Sequence, residues 1–162
     1  IDAFNSLKEY ITNDSINCIF FDSFNSYADL LLAVAKQHYK GYDIWNYYND
    51  EITKLLMTIK YANKEIFVTA HYELLISEGF VEKRVKVGGK QWEGLTEKEF
   101  TIVLYADNKF ENPNKKPEYF FVTVLEDGSA KCPPDIFGED VFKVPNDCKF
   151  VLDKIQEFKN GE

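Results

Sequence analysis

Apolar and polar residues follow two periods along this chain, and each change of period marks an element. Leu7, Tyr10 and Ile11 fall at helical spacing behind Ser6-Leu7-Lys8-Glu9, a Ser-x-x-Glu capping box, which predicts a short amphipathic helix broken at Asn13-Asp14. Ile16 to Phe21 is a continuous β-rich apolar run cut off at Asp22-Ser23, the pattern of a strand covered on both faces. Phe24, Tyr27, Leu31 and Val34 then recur in steps of three and four, so a helix is expected from Phe24 to Tyr39, closed by Gly41. A second helix follows, with Asp43 as its cap and Ile44, Tyr48, Ile52, Leu55, Ile59 and Ala62 along one stripe, ending near Asn63. Glu65 to Ala70 repeats the short buried type of strand and delivers His71 at its end.

After Gly79 the pattern turns β-rich. Phe80 to Val87 alternates, Gly88-Gly89 makes a turn, and Phe100 to Ala106 and Tyr119 to Leu125 read as strands. Residues 107–117, rich in Asn, Lys and Pro, form the exposed hairpin-like loop between them. Pro145 and Asn146-Asp147 start a last helix with Phe150, Val151, Ile155 and Phe158 on its apolar face, stopping at Asn160-Gly161. Without a repeat or a linker, this is one α/β domain whose second half is strand-rich.

Composition narrows the class. With 162 residues, 45% hydrophobic and 16% aromatic, the chain can bury a core and is no disordered segment. Its 19 basic and 27 acidic residues leave a net charge of -8, so no global field draws nucleic acid or an anionic membrane, and any such binding must be local. Cys18, Cys132 and Cys148 are odd in number and far apart, with only His38 and His71 to help, which points away from a disulfide framework or zinc site and towards a reducing, cytoplasmic setting. No apolar run approaches the roughly 18 to 20 residues that span a bilayer, so a soluble chain without a membrane partner is expected. The start at Ile1, with Met57 the single methionine, reads as an N-terminally incomplete piece.

Three features carry candidate chemistry. Asp22 ends a buried-type strand, and in α/β sheets ligands bind beyond the carboxyl ends of strands. A carboxylate there is suited to hold magnesium beside a nucleotide phosphate; the alternative is a cap on the next helix. His71 ends the neighbouring strand at the same edge, where it is placed to sense a phosphate or align a water, or serves structure alone. The third is the run from Glu82 to Gly94, where Lys83, Arg84, Lys86 and Lys90 surround Gly88-Gly89 and Trp92. Here the glycines supply flexibility, the cations suit phosphates, and Trp92 either stacks on a base or packs on a neighbour; an ordinary solvated hairpin is the plain alternative. The phosphate-cradling GxxxxGK[ST] occurs nowhere in the chain.

Taken in order, strand-Asp22-Ser23, two helices, strand-Thr69-Ala70-His71, a Gly/Lys-rich segment and FTIVLYAD (Phe100 to Asp107) resemble the RecA-like P-loop ATPases of phages, in the portion downstream of Walker A. The ending is similar too: SAKCPPDIFG (Ser129 to Gly138) resembles that family's Lys-x-Pro-x-x-x-Phe stretch, and VPNDCKFVLDKI (Val144 to Ile155) its closing Pro-Asn-Asp helix. The resemblance implies a RecA-like core lacking its P-loop strand, with a mainly parallel sheet flanked by helices. It implies Asp22 as the Walker B magnesium carboxylate supported by Ser23, His71 as the sensor, and a mobile basic loop. Arg84, Lys86, Lys90 and Trp92 would contact nucleic acid or a neighbouring subunit, and Lys131 would reach a nucleotide across an interface. ATP and Mg2+ are the implied cofactors. The implied partners are further copies of the chain, a segment carrying the P-loop, and single-stranded DNA in the cytoplasm of a bacterial host. The implied role is DNA recombination or replication, without hydrolysis by this chain alone. In the RecA-like fold the P-loop strand lies inside the sheet, so its absence implies unpaired backbone that an upstream segment, another chain or a changed strand order must satisfy. The alternative function is a non-catalytic, degenerate NTPase-fold module that binds a partner protein or single-stranded DNA.

Overall fold

The helical periodicity is realised as α1 (Asp2–Thr12), α2 (Phe24–His38), α3 (Asp43–Lys60) and α4 (Cys148–Asn160). The strands are β1 (Cys18–Phe21), β2 (Glu65–Val68), β3 (Tyr72–Ser77), β4 (Phe80–Val85), β5 (Tyr105–Lys109), β6 (Glu118–Val122) and β7 (Lys143–Pro145), with a short 3-10 turn at Thr96–Glu99. This computed structural model describes residues 2–77, 80–92, 94–112, 114–126 and 129–161. Gly79, where the sequence pattern changes, Glu93 of the basic run and Pro113 of the 107–117 loop lie outside them. Contacts group the chain into two units, Ile1–Leu75 with Lys83–Glu99, and Ile76–Glu82 with Phe100–Glu162.

In the first unit, two stripes make the core. Phe24, Tyr27, Ala28, Leu31 and Ala35 are buried on α2, and Tyr48, Ile52, Leu55 and Leu56 on α3, so each helix offers one apolar face to the interior. α1 starts at Asp2 because Phe4 extends the apolar stripe of Leu7 back by a turn; Ser6 is therefore interior to the helix and the capping box is not used. Nor does Asp43 cap α3: the cap position is Tyr42, which makes no side-chain cap bond, and Asp43 lies in the first turn where its charge suits the helix dipole. β1 and β2 pair in parallel, Cys18 opposite Glu65 and Phe21 opposite Val68. Coverage of both faces is not what forms. Ile19 is buried and Phe21 meets Tyr27 of α2 edge-on at 5.7 Å, but Phe20 is 58% exposed and stacks on Phe67 at 5.0 Å. Alternate side chains of a strand point to opposite faces, and α2 engages one of them.

Parallel pairing is confined, among the described residues, to β1 and β2, so the fold is mixed α/β but its strands do not build a mainly parallel sheet. β3 and β4 form a second two-stranded sheet. In the second unit β5, β6 and β7 form an antiparallel sheet in that order, with Tyr105 opposite Val122 and Phe120 opposite Pro145. Residues 110–117 are too few for the crossover of a dozen or more residues that a parallel neighbour requires. The apolar stretch Phe100 to Ala106 is mostly not strand: Val103 exchanges both backbone bonds with Lys131, at 2.8 and 2.9 Å, and the ladder opposite β6 forms instead on the polar run Tyr105–Lys109. β7 is an edge strand, which is where a proline such as Pro145 is tolerated. α4 begins as expected. The Asp147 carboxylate accepts from the backbone N–H of Lys149 at 2.8 Å and of Phe150 at 3.4 Å, and Gly161 closes the helix in the left-handed region at φ 73°.

Two of these contacts can be tested by stability measurements. Asp147→Ala leaves two helix N–H groups without their acceptor and should lower unfolding free energy by about 1 kcal/mol in urea titrations. Tyr27 is 4% exposed and its hydroxyl has no hydrogen-bond partner among the described residues. Burial, then the carboxylate of Glu51, pushes its phenol up from 10.0 to about 12. Below pH 10 the phenol is neutral in both states. Above it the unfolded chain ionises while the fold resists, so stability is lost as pH rises from 10 towards 12, by roughly 2 to 3 kcal/mol for this residue. Tyr27→Phe should blunt that loss in urea titrations at pH 11 while changing stability at pH 7 by less than about 1 kcal/mol, because no hydrogen bond is removed.

Candidate functional site at the exit of the parallel strands

Parallel pairing brings the carboxyl ends of β1 and β2 to the same edge, and the backbone just beyond them closes on Thr69. Its N–H donates to Phe21 O at 3.1 Å and its carbonyl accepts from the N–H of Phe24 at 2.9 Å. Asp22 and Ser23, joined by a cis peptide, are the two residues between those anchor points. Asp22 is exposed, and the Thr69 hydroxyl donates to its Oδ1. Ser23 caps α2, its Oγ accepting from the N–H of Ser26 at 3.3 Å and lying 3.0 Å from the Ser26 hydroxyl. The cap that was open to Asp22 is thus supplied by its neighbour, which leaves the Asp22 carboxylate at the edge with the Thr69 hydroxyl as its partner among the described residues.

His71 is exposed two residues beyond Thr69, and its backbone is held by Asn25, a residue without a sequence motif to mark it. Asn25, 8% exposed, accepts the His71 N–H on Oδ1 at 2.6 Å, and its Nδ2 donates to Lys86 O and, at 3.4 Å, to His71 O. The Lys86 N–H also donates to His71 O, at 2.9 Å. The start of the basic segment is therefore tied to the exit of β2 and to the first turn of α2. The signal for Asn25 is faint: a polar residue one position along from Phe24 and three before Ala28, on the helix face that is otherwise apolar.

The rest of the basic segment, among the described residues, is held by side-chain bonds as well. The Val85 N–H donates to the buried carboxylate of Glu97 at 2.7 Å, and the Trp92 indole donates to Asn49 at 3.1 Å. Trp92 is 8% exposed, so of its two possible roles it takes packing on a neighbour. Gly88 and Gly89 are there for close approach. A Cβ on Gly88 would meet Leu32 at 3.3 Å, and one on Gly89, at φ +87°, would meet the Trp45 ring at 3.1 Å. Lys86 and Lys90 are exposed. Lys83 lies 5.4 Å from the centre of the Tyr72 ring, and the Arg84 side chain passes beneath Gly94, where a Cβ would stand 3.2 Å from Nε. Lys131 belongs to the second unit, half-buried and paired through its backbone with Val103.

The chemistry of this edge is that of one carboxylate and one hydroxyl beside a capped helix start. Among the described residues no three His, Cys, Asp or Glu side chains converge to hold a metal unaided. Asp22 with its open oxygen fits a hydrated Mg2+, which keeps most of its waters and takes one or two carboxylates. No helix among the described residues is long and apolar enough to cross a membrane. Comparison with protein families, with curated proteins and with solved structures found no match to this chain.

Gly41 and Gly89, both in the left-handed region, offer a direct test of the anchored segment. Gly41 has φ +58° with nothing within 4 Å, so Gly41→Ala should cost about 1 kcal/mol for the left-handed backbone alone. Gly89→Ala adds overpacking against Trp45 and should cost about 1 to 3 kcal/mol more. Equal losses for the two variants in urea titrations would mean that the segment yields at Gly89.

Proposed function

We propose that the chain is part of a phage-type RecA-like ATP-binding protein acting in DNA recombination or replication. The observation that carries this reading is the parallel register of β1 and β2, with Asp22, Thr69 and His71 at one carboxyl edge beside the start of α2. In this reading Asp22 is the Walker B carboxylate, and the Thr69 hydroxyl orients it. Asp22 would hold Mg2+ through one oxygen and through water, and the ion, when bound, neutralises charge on the nucleotide phosphates. His71 is the sensor at the neighbouring strand end, and Ser23 contributes through the cap that fixes α2. Lys86 and Lys90 are the exposed cations for single-stranded DNA or a neighbouring subunit, with Arg84 behind them and Trp92 as the anchor of their segment. Lys131 is assigned the reach across an interface to a nucleotide. Phosphate binding itself requires a P-loop that the chain does not contain, so hydrolysis needs further residues.

A second reading, a non-catalytic binding or assembly module for a partner protein or single-stranded DNA, is favoured by that same lack of GxxxxGK[ST], and the net charge of -8 suits its partner-protein form better than its DNA-binding form.

The coding sequence upstream of Ile1 separates the two. An in-frame GxxxxGK[ST] supports the ATPase reading, and in that longer protein Asp22→Ala should reduce magnesium-dependent ATP hydrolysis by at least roughly 100-fold, given the several kcal/mol a metal contributes. Unchanged turnover would remove Asp22 from the site, and a start codon directly before Ile1 would overturn the ATPase reading. For the basic segment, replacing Lys86 and Lys90 together by Glu should weaken binding of an oligo-dT strand. The slope of log affinity against log salt should fall by about 1.4, or about 0.7 per lost phosphate contact. An unaltered slope assigns these lysines to plain solvated surface.

A further inference from the structure

Asn25 does more than the second residue of a helix requires. The cap of α2 is complete without it, because the Ser23 hydroxyl already takes the Ser26 N–H. Its side chain instead leaves the helix to meet two other segments of the chain. An asparagine amide has one acceptor oxygen and an N–H2 donor group, and both are engaged: the oxygen by His71 N–H, the nitrogen by the carbonyls of Lys86 and His71. The group is buried, so releasing it without new partners leaves polar atoms unpaired away from water, which opposes opening. The Lys86 N–H to His71 O bond closes the arrangement from the other side.

We propose that Asn25 is a latch that makes the exit of β2 and the start of the basic segment one opening unit. Lys86 can swing away from His71 only by giving up the Asn25 donor together with its own bond to His71 O. A ligand that pulls on Lys86 from outside is therefore felt at the β2 exit, and by linkage a ligand that stabilises the β2 exit holds Lys86 in place. The latch is a property of the fold and stands whether or not the chain takes part in nucleotide binding. Its failure leaves the reading of Asp22 untouched, and the loss of that reading leaves the latch.

Amide hydrogen exchange on the unmodified chain, in increments of urea below the unfolding transition, tests it directly. The His71 and Lys86 amides should exchange through one opening, with the same free energy and the same urea dependence. Two different urea dependences overturn the latch. Asn25→Asp gives an independent arm, since a carboxylate keeps the acceptor for His71 N–H but has no donor for the two carbonyls. Exchange at Lys86 should rise at least about tenfold, equivalent to about 1.4 kcal/mol, while His71 stays within about threefold and the core amides of Leu31 and Ile52 keep their rates. Lys86 exchange unaltered in that variant overturns the proposal. Should Asn25→Asp unfold the chain, the comparison within the unmodified protein decides alone.

Discussion

Everything at the candidate site depends on the four-residue parallel register of β1 and β2 and on its continuation through Thr69. With Phe21 opposite Val68, the residue just after β2, Thr69, presents its N–H to Phe21 and its carbonyl to Phe24, so the ladder hands over directly to the first turn of α2. That handover leaves Asp22 at the edge, puts Ser23 at the cap and places Asn25 within reach of His71 and Lys86. A slip of β1 by one residue would exchange the faces of its side chains, turning Phe20 towards α2 and Ile19 to solvent. The apolar pattern of β1 and the chemistry of its end are consequences of one alignment.

The same alignment explains why the basic segment is anchored. Once Lys86 is tied at the β2 exit, the following residues cross the α2–α3 face, where Leu32, Trp45 and Tyr48 leave little room for a Cβ at Gly88 or Gly89. Trp92 then reaches Asn49, and Glu97 turns back to hold Val85, so the cations stand on a braced strip of backbone. Bracing suits a segment rich in lysine within an acidic chain. Long side chains can sample solvent while the backbone that sets their spacing stays put, which limits the ordering entropy a polyanion would impose on binding.

The helices are legible from the chain because each carries a long periodic stripe, and so are β1 and β2, whose apolar runs end in Asp22 and near His71. What escapes is short or depends on a partner. β3, Tyr72–Ser77, has no turn signal before it, and β7, Lys143–Pro145, contains a proline that argues against a strand until its edge position is known. The apolar run from Phe100 reads as a ladder, but a ladder forms where a partner lies, and β6 pairs with the more polar residues downstream. At the site, Asp22 and His71 are visible as strand ends. Asn25, Thr69 and Glu97 are not, since an Asn or Thr near a helix start or a strand end has ordinary local uses, and only the tertiary fold shows what each one holds.

The charge at this edge limits what it can attract by itself. Asp22 is an exposed carboxylate with a hydroxyl partner, and a second negative group about 4 Å away would be repelled by about 1 kcal/mol, the value in water. Beside Asp22 alone a phosphate therefore gains little without a cation between the two, and the lysine that the fold ties to this edge is Lys86. Parallel strands are ordinarily covered on both sides, and with Phe20 exposed one side of this pair is open. Both readings of the function therefore require a further surface against the strands, and they differ in whether that surface brings a phosphate cradle.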